Sequence, residues 1–424
     1  MIAASMGASV PAPSPASSPT ADSRSTWLAG PVVRIALGFA VLSLLSGAFD
    51  APDLFSRGGI AATLRFSAPI LLAGLGALWA ERSGVINIGL EGMMIVGTWF
   101  GAWAGYQWGV GAGLVAGVAA GTALGLVHAL LSVTFGVDQA IAGLSLNLLA
   151  AGLTRFLSSI AFVGVPGGSI TTSPPVPDFA TVSLPGVDVL LAPAERAGIP
   201  ILSDAAAVVL GLLTDVSILT IAVVALVPLT WWLLWRTRLG LRIRAAGERP
   251  EAADSLGVRP WRYRYLALGV SGGLAGLGGV YLVTVASSLY REGQTAGRGF
   301  IGLATVIFGN WNPWSVTVGS LVFGFTDALR TRQELTVGVL LVGLGVLGAA
   351  VALRRGLGRD WRGALLFGVP AAAMLAWFWL VRIVPAEFVS FAPHLTTLLV
   401  LAFARQRLRP PAALGEPFRR ADAI

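Results

Sequence analysis

The sequence lacks cysteine and lysine altogether and has only two histidines, His128 and His394. Without cysteine there can be no disulfide and no thiolate metal site. Without lysine, all 29 basic residues are arginine, and a phosphate-binding loop of the Gly-x-x-x-x-Gly-Lys-Ser/Thr type cannot exist. The His-Glu-x-x-His motif is also absent. The sequence therefore predicts no metal site and no catalytic residues.

Charge is scarce as well. Charged residues make up 12% of the chain and apolar residues 55%, whereas a soluble protein carries about 25% charged residues. This composition predicts a membrane protein that crosses the bilayer many times. The net charge is +8, but the arginines lie between and after apolar stretches. That is the pattern of cytoplasmic membrane loops and not of a nucleic-acid interface, so membrane lipid is expected as a partner and nucleic acid is not.

The hydrophobic runs predict an all-α bundle of transmembrane helices. Residues 92–137 contain no charged residue and can hold two spans, with a break near residues 107–111. A second break is expected at Asn310-Trp311-Asn312-Pro313. The other expected spans are 31–49, 60–80, 139–163, 216–235, 266–286, 300–308 with 313–329, 336–353, 362–384 and 387–404. We expect twelve spans, or ten if the short segments do not cross, with both termini in the cytoplasm.

The chain divides into a tail, a membrane domain and a second tail. Residues 1–26 are rich in Ser, Pro and Ala and are predicted to be disordered. Residues 31–404 form the membrane domain, and 405–424 a cytoplasmic tail. Within the domain, the acidic loop 164–213 is expected outside the cytoplasm and the most basic loop, 236–264, inside. Residues 331–384 are interpreted as an additional helical hairpin.

Two glycine patterns lie inside predicted spans. Gly113, Gly117, Gly121 and Gly125 recur every four residues and define one helix face, where another backbone can approach closely. We favour packing within the chain over a seam between subunits. Residues 269–273 match Gly-x-Ser-x-Gly, but that nucleophile motif needs a strand–turn–helix setting. In an apolar helical span the same glycines predict packing.

Ionisable side chains inside spans are costly in lipid and are therefore examined for function. Asp138, Asp215 and Asp327 lie near predicted span ends, which favours structural roles. Glu91 lies between two apolar stretches, with glycines on either side and Asn87 four residues earlier. Two interpretations stay open for Glu91. It lines a polar path at a broken helix, or it is a solvated carboxylate in a short cytoplasmic turn.

The basic loop has an internal order of its own. Pro250 suits the first turn of a helix, where Glu251 lies near the positive end of the helix dipole. Gly257 suits the position just after the helix, where a left-handed backbone is common. A short amphipathic helix parallel to the membrane is therefore predicted. The alternative is a charged loop that only fixes the topology.

With these segments in place, the sequence resembles the permease subunits of bacterial ABC importers. It is most similar to the nucleoside and simple-sugar branch of the ribose/branched-chain amino-acid permease family. The motif Gly-x-x-Pro-x-Ala-Ala-x-x-x-Gly resembles the family's ATPase-coupling loop and assigns that role to Gly247, Glu248, Pro250, Glu251, Ala252, Ala253 and Gly257. The other matching stretches are Asn87–Met94, Asp138-Gln139 with Gly143 and Leu146-Asn147, 297–300 with 308–313, and 410–418.

The resemblance implies a function and a set of partners. The chain would form the path for a nucleoside or simple sugar in a bacterial cytoplasmic membrane, with Asn87, Glu91 and Asn147 along the path. Its partners would be a second permease subunit, an ATPase subunit that uses the ATP, and an extracytoplasmic solute-binding lipoprotein. The chain itself would bind no cofactor. The alternative is a self-contained secondary transporter, although the spans offer few residues for an ion or proton relay.

Some positions depart from the family pattern. Arg249 and Asp138 stand where the family commonly has asparagine. The extra spans at 331–384 are missing from the shorter members.

Overall fold

The computed structural model describes residues 31–49, 51, 54–331, 334–381, 384–385, 389 and 408–418. The predicted tail 1–26 lies outside this set, as do most of the predicted span 387–404 and the two ends of the tail 405–424. The described part is almost entirely helical. Its helices are α1 (Pro31–Ala48), α2 (Arg57–Arg82), α3 (Leu90–Trp108), α4 (Val110–Ala129), α5 (Gln139–Ala161), α6 (Val187–Arg196), α7 (Leu202–Leu213), α8 (Ile218–Arg236), α9 (Arg238–Glu248), α10 (Pro250–Ser255), α11 (Pro260–Tyr281), α12 (Arg298–Phe308), α13 (Pro313–Ala328), α14 (Glu334–Leu357) and α15 (Trp361–Val381). π-Helical turns extend α4 to Thr134 and α11 to Ala286.

This all-α architecture confirms the predicted fold class. Among the described residues, seven helices are long and apolar enough to cross a membrane, namely α2, α4, α5, α8, α11, α14 and α15. Shorter apolar stretches lie in α1, α7 and α12, and α3 is a mostly buried helix of 19 residues. The protein is thus a multi-pass membrane protein. The total of ten to twelve crossings and the cytoplasmic termini stay predictions.

Local chemistry explains where several helices begin and end. Gly109 separates α3 from α4 with a φ of +87°, inside the predicted break at 107–111. Asp138 starts α5, where its carboxylate accepts hydrogen bonds from the amides of Ala140 and Ile141 at 2.9 Å. A carboxylate at this position satisfies amides that have no partner inside the helix. Asp138 therefore has the structural role that its place in the sequence favoured.

Helices α2 and α11 lie at the centre of the bundle. Every residue of α2 from Ser67 to Glu81 is buried, and a continuous core joins α2 to α3, α8, α11 and the α12–α13 region. A helix that is apolar on all sides belongs in such a position. Helices α5 and α15 are largely exposed instead, and their surfaces are apolar. They therefore form part of the surface that faces lipid or another membrane subunit.

Glycine allows α3, α4 and α11 to pack in close contact. The repeat Gly113, Gly117, Gly121 and Gly125 is buried along α4. A Cβ atom at Gly121 would overlap the carbonyl oxygen of Gly272 on α11, and one at Gly113 would overlap that of Gly101 on α3. Backbones this close to each other exclude any side chain, as in other small-residue contacts between membrane helices. The four glycines thus lie in contacts within this chain.

The segment between α5 and α8 is more structured than the sequence predicted. It was predicted to be a Pro-rich loop at 164–213, but it contains α6 and α7 and strand β1 (Thr181–Val182). This strand pairs antiparallel with β2 (Val216–Ser217). Arg57 fastens the segment to α2 through 3.0 Å ion pairs with Asp188 and Asp215. The sequence reasoning assigned the segment to a loop because of its prolines, one of which, Pro193, lies inside α6.

Helices α14 and α15 occupy most of the predicted insertion at 331–384. They pack along each other around a turn at 358–360, where Asp360 accepts hydrogen bonds from Arg355 and the Gly363 amide at 2.9 Å. The hydrogen bond from the Gly363 amide, and next the one from Arg355, lower the pKa of Asp360. Val339 and Phe378 pack against the end of α1. The hairpin thus lies beside the N-terminal helix.

The described loops gather on two sides of the bundle. The first, here called the basic face, consists of residues 82–89, 236–264, 309–312 and 408–418, which contact one another. The second, here called the opposite face, consists of residues 162–217 and 287–297, joined by contacts such as that of Ser288 with Asp178. Helices α2 and α11 run from one face to the other.

We predict that Gly121→Ala lowers the thermal stability of the protein. The added methyl group would meet backbone atoms of Gly272 and Gly276, and overpacking of this kind costs about 1–3 kcal/mol. Gly152 on α5 is the matched control, because nothing lies within 4 Å of its Cβ position. There, alanine should be neutral or stabilising. Melting temperatures in detergent would compare the two variants. If Gly121→Ala melts no lower than Gly152→Ala, the close contact of α4 and α11 is wrong.

Candidate functional site

The chain leaves helical geometry between α2 and α3, at residues 83–89. Ser83 ends α2, Gly84 takes a φ of +93°, and Gly89 precedes the first residue of α3. Helices on both sides of this break are buried. Non-helical backbone inside an apolar bundle needs hydrogen-bond partners from elsewhere, because lipid supplies none. The polar residues that the sequence singled out are among those partners.

Asn87 is fully buried and holds the last residues of the break in place. Its Oδ1 accepts a hydrogen bond from the Gly89 amide (3.0 Å), and its Nδ2 donates to the hydroxyl of Ser271 on α11 (2.8 Å). Ser271 is the serine of the Gly-x-Ser-x-Gly motif and lies in the middle of a regular helix. Asn87 thus joins the break to α11.

Asn147 spans the same break from α5. Its Oδ1 accepts from the amide of Gly92 (2.7 Å) and its Nδ2 donates to the carbonyl of Ile88 (3.0 Å). One side chain therefore satisfies a donor and an acceptor that the interrupted helix leaves open. Gln139, also on α5, accepts from the Ile86 amide at 2.7 Å. Asn147 and Gln139 therefore bind the break to α5 at two positions along that helix.

Glu91 connects the break to a second interruption, the segment before α12. One carboxylate oxygen accepts from the amide of Gly297 (2.8 Å) and the other from the amide of Gly299 (2.7 Å). Negative charge at a helix N-terminus is favourable, and hydrogen bonds to a carboxylate are strong. Glycine at 299 is required, since a Cβ there would lie 2.6–2.8 Å from atoms of Glu91. Glu91 therefore caps α12.

This geometry bears on the two interpretations of Glu91, which were a residue lining a polar path and a solvated carboxylate in a turn. The side chain is only 7% exposed, which does not fit a solvated turn. Asn87 and Glu91 do not share a helical turn, because α3 begins at Leu90 and Asn87 precedes it. Their spacing of four in the sequence therefore does not place them on one helix face. That Asn87, Glu91 and Asn147 line a solute path stays a prediction.

The interruption between α12 and α13 is held from the end of α2. Asn310 and Trp311 have positive φ values of 50° and 55°, which non-glycine residues rarely adopt. Arg82 donates to the Trp311 carbonyl (2.6 Å), and the Trp311 indole donates to the buried carboxylate of Glu81. The predicted break at 310–313 is thus confirmed. Sequence reasoning missed its partners, although a Glu-Arg pair at the end of an apolar span was a visible signal.

An ion pair joins the other ends of α12 and α13. Arg298 and Asp327 are both 8% exposed, and their side chains are hydrogen-bonded. Arg330 lies 3.5 Å from the same carboxylate. Removing either partner would leave the other charge buried and unpaired, which is strongly destabilising. The ion pair therefore holds the two short helices together. The structural role favoured for Asp327 is borne out, but its partner Arg298 was not anticipated.

The basic loop forms two helices, α9 and α10. Pro250 stands in the first turn of α10, and Gly257 follows it with a φ of +81°, as the sequence predicted. Pro250 and Ala253 are buried, whereas Glu251, Ala252 and Leu256 are exposed, Leu256 to 84%. One side of α10 is thus fixed to the chain and the other side is open.

Residues 408–418 pack against this loop and the break together. Ala413 donates to the Gly247 carbonyl (2.9 Å), and Gly415 donates to the Gly84 carbonyl (3.0 Å). Glu248 accepts from the Ala412 amide at 3.2 Å. Gly247 itself packs so closely on the backbone of residues 82–84 that no Cβ would fit. The basic loop, the break at 83–89 and residues 408–418 therefore contact one another on the basic face.

Comparison with known proteins identifies a matching family and several similar proteins. Residues 59–350 match the model of the family described as "Branched-chain amino acid transport system / permease component". The chain is 36% identical to the guanosine ABC transporter permease protein NupQ of Bacillus subtilis, over 64% of this chain and 81% of that protein. It is 34% identical to the putative glucose ABC transporter permease protein TsgC13 of Haloferax volcanii, over 86% and 98% of the two chains.

A third relative is the nucleoside ABC transporter permease protein NupC of Lactococcus lactis, with 27% identity over 84% of this chain and 95% of that protein. In each of these three organisms a second permease, NupP, TsgB13 or NupB, matches at 24–26% identity. No solved structure matches the chain.

We predict that Glu91→Ala destabilises the protein more than Glu91→Gln. Alanine leaves the amides of Gly297 and Gly299 without an acceptor, at a cost of about 1–3 kcal/mol for each unsatisfied group. Glutamine keeps one oxygen but turns its amide towards the other donor, so an intermediate melting temperature is expected. Glu195→Ala, in α6 on the opposite face, is the control for loss of a carboxylate. Equal melting of Glu91→Ala and wild type would contradict the capping role.

Proposed function

The chain belongs to the family of permease components of branched-chain amino acid transport systems and is a permease subunit of an ABC transporter; we propose that it imports a nucleoside or a simple sugar. The observation that carries the choice of solute is the similarity to NupQ, TsgC13 and NupC over most of their length. Their names refer to guanosine, glucose and nucleosides. These solutes share a neutral ring with several hydroxyl groups.

The basic face is assigned to the cytoplasm in this proposal. Loop 236–264 carries eight of the arginines, and arginine-rich loops are retained on the cytoplasmic side. The opposite face, with its acidic segment at 162–217, then lies outside. This orientation fits a bacterial cytoplasmic membrane, where an extracytoplasmic lipoprotein would deliver the solute to the opposite face.

We assign the contact with the ATPase subunit to Gly247–Val258. Glu251 and Ala252 on the exposed side of α10 lie beside Leu256, which follows the helix and is 84% exposed. An exposed apolar side chain of this kind suits a groove of a partner. ATP hydrolysis is placed on that partner, because this chain cannot form a lysine-containing phosphate loop.

A second permease is proposed as the other membrane subunit. The three organisms with close relatives each have a second, less similar permease, which supports a heterodimer over a homodimer. The exposed apolar sides of α5 and α15 offer surfaces for that subunit or for lipid.

Within the chain, the path is proposed to pass the break between α2 and α3. Asn87, Glu91 and Asn147 would line it there and hold the helix ends that surround it. Gly84 connects this break to the tail and to the coupling loop. The break is therefore a suitable place for a gate that movement of the coupling loop would open and close.

Uptake in proteoliposomes tests this function. The chain would be reconstituted with the proposed partners, namely a second permease, an ATPase and a solute-binding lipoprotein. Uptake of uridine, guanosine, D-ribose or D-glucose should require internal ATP and every subunit. Uptake by this chain alone, driven by an ion gradient, would instead indicate a secondary transporter. In the same assay, Glu91→Ala should abolish uptake and Glu91→Gln should retain part of it.

We predict that Gly257→Val uncouples ATP hydrolysis from transport. The Cβ position at Gly257 is open, so the substitution changes the backbone preference and adds no clash. A β-branched residue resists a φ of +81°, whereas asparagine tolerates it. Gly257→Asn is therefore the matched control. Gly257→Val should enter the membrane normally but lose solute-stimulated ATPase activity. Coupled transport at the rate of Gly257→Asn would disprove the contact.

A further inference from the structure

A polar cavity of about 310 Å³ opens on the opposite face of the bundle, between α2, α8, the end of α11 and the segment around β1. Its volume is at the lower end of the range for small-molecule sites, about 300–1,000 Å³. Loop residues surround its outer part, and Thr220, Tyr281 and Thr284 lie deeper, within the helices. The cavity is separate from the break on the basic face.

Arg65 is the most informative residue in the cavity wall. It lies inside α2, where a charge is costly in a membrane and by default indicates a function. Among the described residues, Arg65 forms no ion pair and no hydrogen bond. The two carboxylates of the wall have other partners. Asp215 pairs with Arg57 at 3.0 Å, and Asp178 accepts a hydrogen bond from the Ser288 hydroxyl at 2.6 Å. Arg65 is exposed and no group of the described residues occupies its donors, so they can reach a ligand in the cavity.

The rest of the wall combines hydroxyl groups with apolar side chains. The buried hydroxyls of Thr220 and Tyr281 are 2.7 Å apart, and Thr284 and Ser287 add two more. Phe179 and Val285 supply the apolar part. Hydroxyls can both donate and accept, so this wall suits a solute with hydroxyls on an otherwise apolar ring.

We propose that this cavity binds the transported solute, a neutral ring bearing several hydroxyls, with Arg65 as its main donor and Phe179 against the ring. The inference rests on the proposed function and names a site for it. The carboxylates of Asp178 and Asp215 lie in the wall and disfavour a phosphorylated sugar, because its phosphate would meet their negative charge. An amino acid such as leucine lacks the hydroxyl groups that this wall would bind.

The absence of native cysteine allows a direct test. Ser287→Cys places a single thiol in the cavity wall of the purified, assembled importer in detergent, where a maleimide can modify it. Uridine, D-ribose or D-glucose should slow this modification severalfold, and the solute that does so distinguishes a nucleoside from a free sugar. L-leucine and glucose 6-phosphate should have no effect. Ala197→Cys is the control, at an exposed position just after α6 on the opposite face. It should react at the same rate with every solute.

Arg65 variants test the anchor in the same protein. In the Ser287→Cys background, Arg65→Gln should raise the solute concentration for half-protection about tenfold or more, since a hydrogen bond from a charged donor contributes about 1.5–3 kcal/mol. Arg65→Lys keeps the charge but loses the planar fork, so a smaller increase is expected. Arg196→Gln removes one arginine from the same face outside the cavity and should leave half-protection unchanged.

The outcomes separate this inference from the proposed function. Wild-type importer that transports uridine or a sugar while none of them protects Ser287→Cys would overturn the cavity and leave the function standing. Protection by L-leucine or glucose 6-phosphate alone, or equal half-protection for Arg65→Gln and Arg196→Gln, would also overturn it. Absence of ATP-dependent uptake for every solute would overturn the function itself.

Discussion

The architecture depends on one constraint: backbone that leaves helical geometry inside an apolar bundle must find hydrogen bonds within the protein. The chain breaks at 83–89, before α12 and at 309–312, and polar side chains from other helices satisfy each break. Asn147 forms hydrogen bonds with the first break, Glu91 with the second, and Glu81 and Arg82 with the third. Because each of these side chains lies on another element, the breaks also fasten the helices to one another.

Glycine determines which helices can make those hydrogen bonds. Asn87 reaches Ser271 because α3, α4 and α11 approach through glycine faces, such as Gly97 against Gly276. Glu91 reaches the amides at the start of α12 because residue 299 has no side chain. Close packing and hydrogen bonding are therefore not independent here. A methyl group added at one contact would separate donors from acceptors at the other, which explains why apolar helices in this bundle carry so many glycines.

Sequence reasoning succeeded where the determinants are local. The helix end at Gly109, the structural role of Asp138 and the short helix between Pro250 and Gly257 depend on neighbouring residues, and all three are found in the structure. It failed for interactions across long separations. Trp311 and Glu81 are 230 residues apart, and nothing in either segment identifies the other. Arg65 was overlooked because one arginine barely lowers the hydropathy of α2, whereas only the fold shows which cavity it faces.

The tail explains how movement at the surface can reach the interior. Gly84 contacts Gly247 of α9 directly and binds Gly415 through its carbonyl oxygen. A displacement of α9 and α10 must either break these contacts or carry residues 82–84 with it. Residues 82–84 continue through the break to Glu91, and Glu91 is bound to the first amides of α12. A displacement of α9 and α10 therefore acts on two helix N-termini at once, and neither can shift without loss of the hydrogen bonds that keep its backbone amides from lipid.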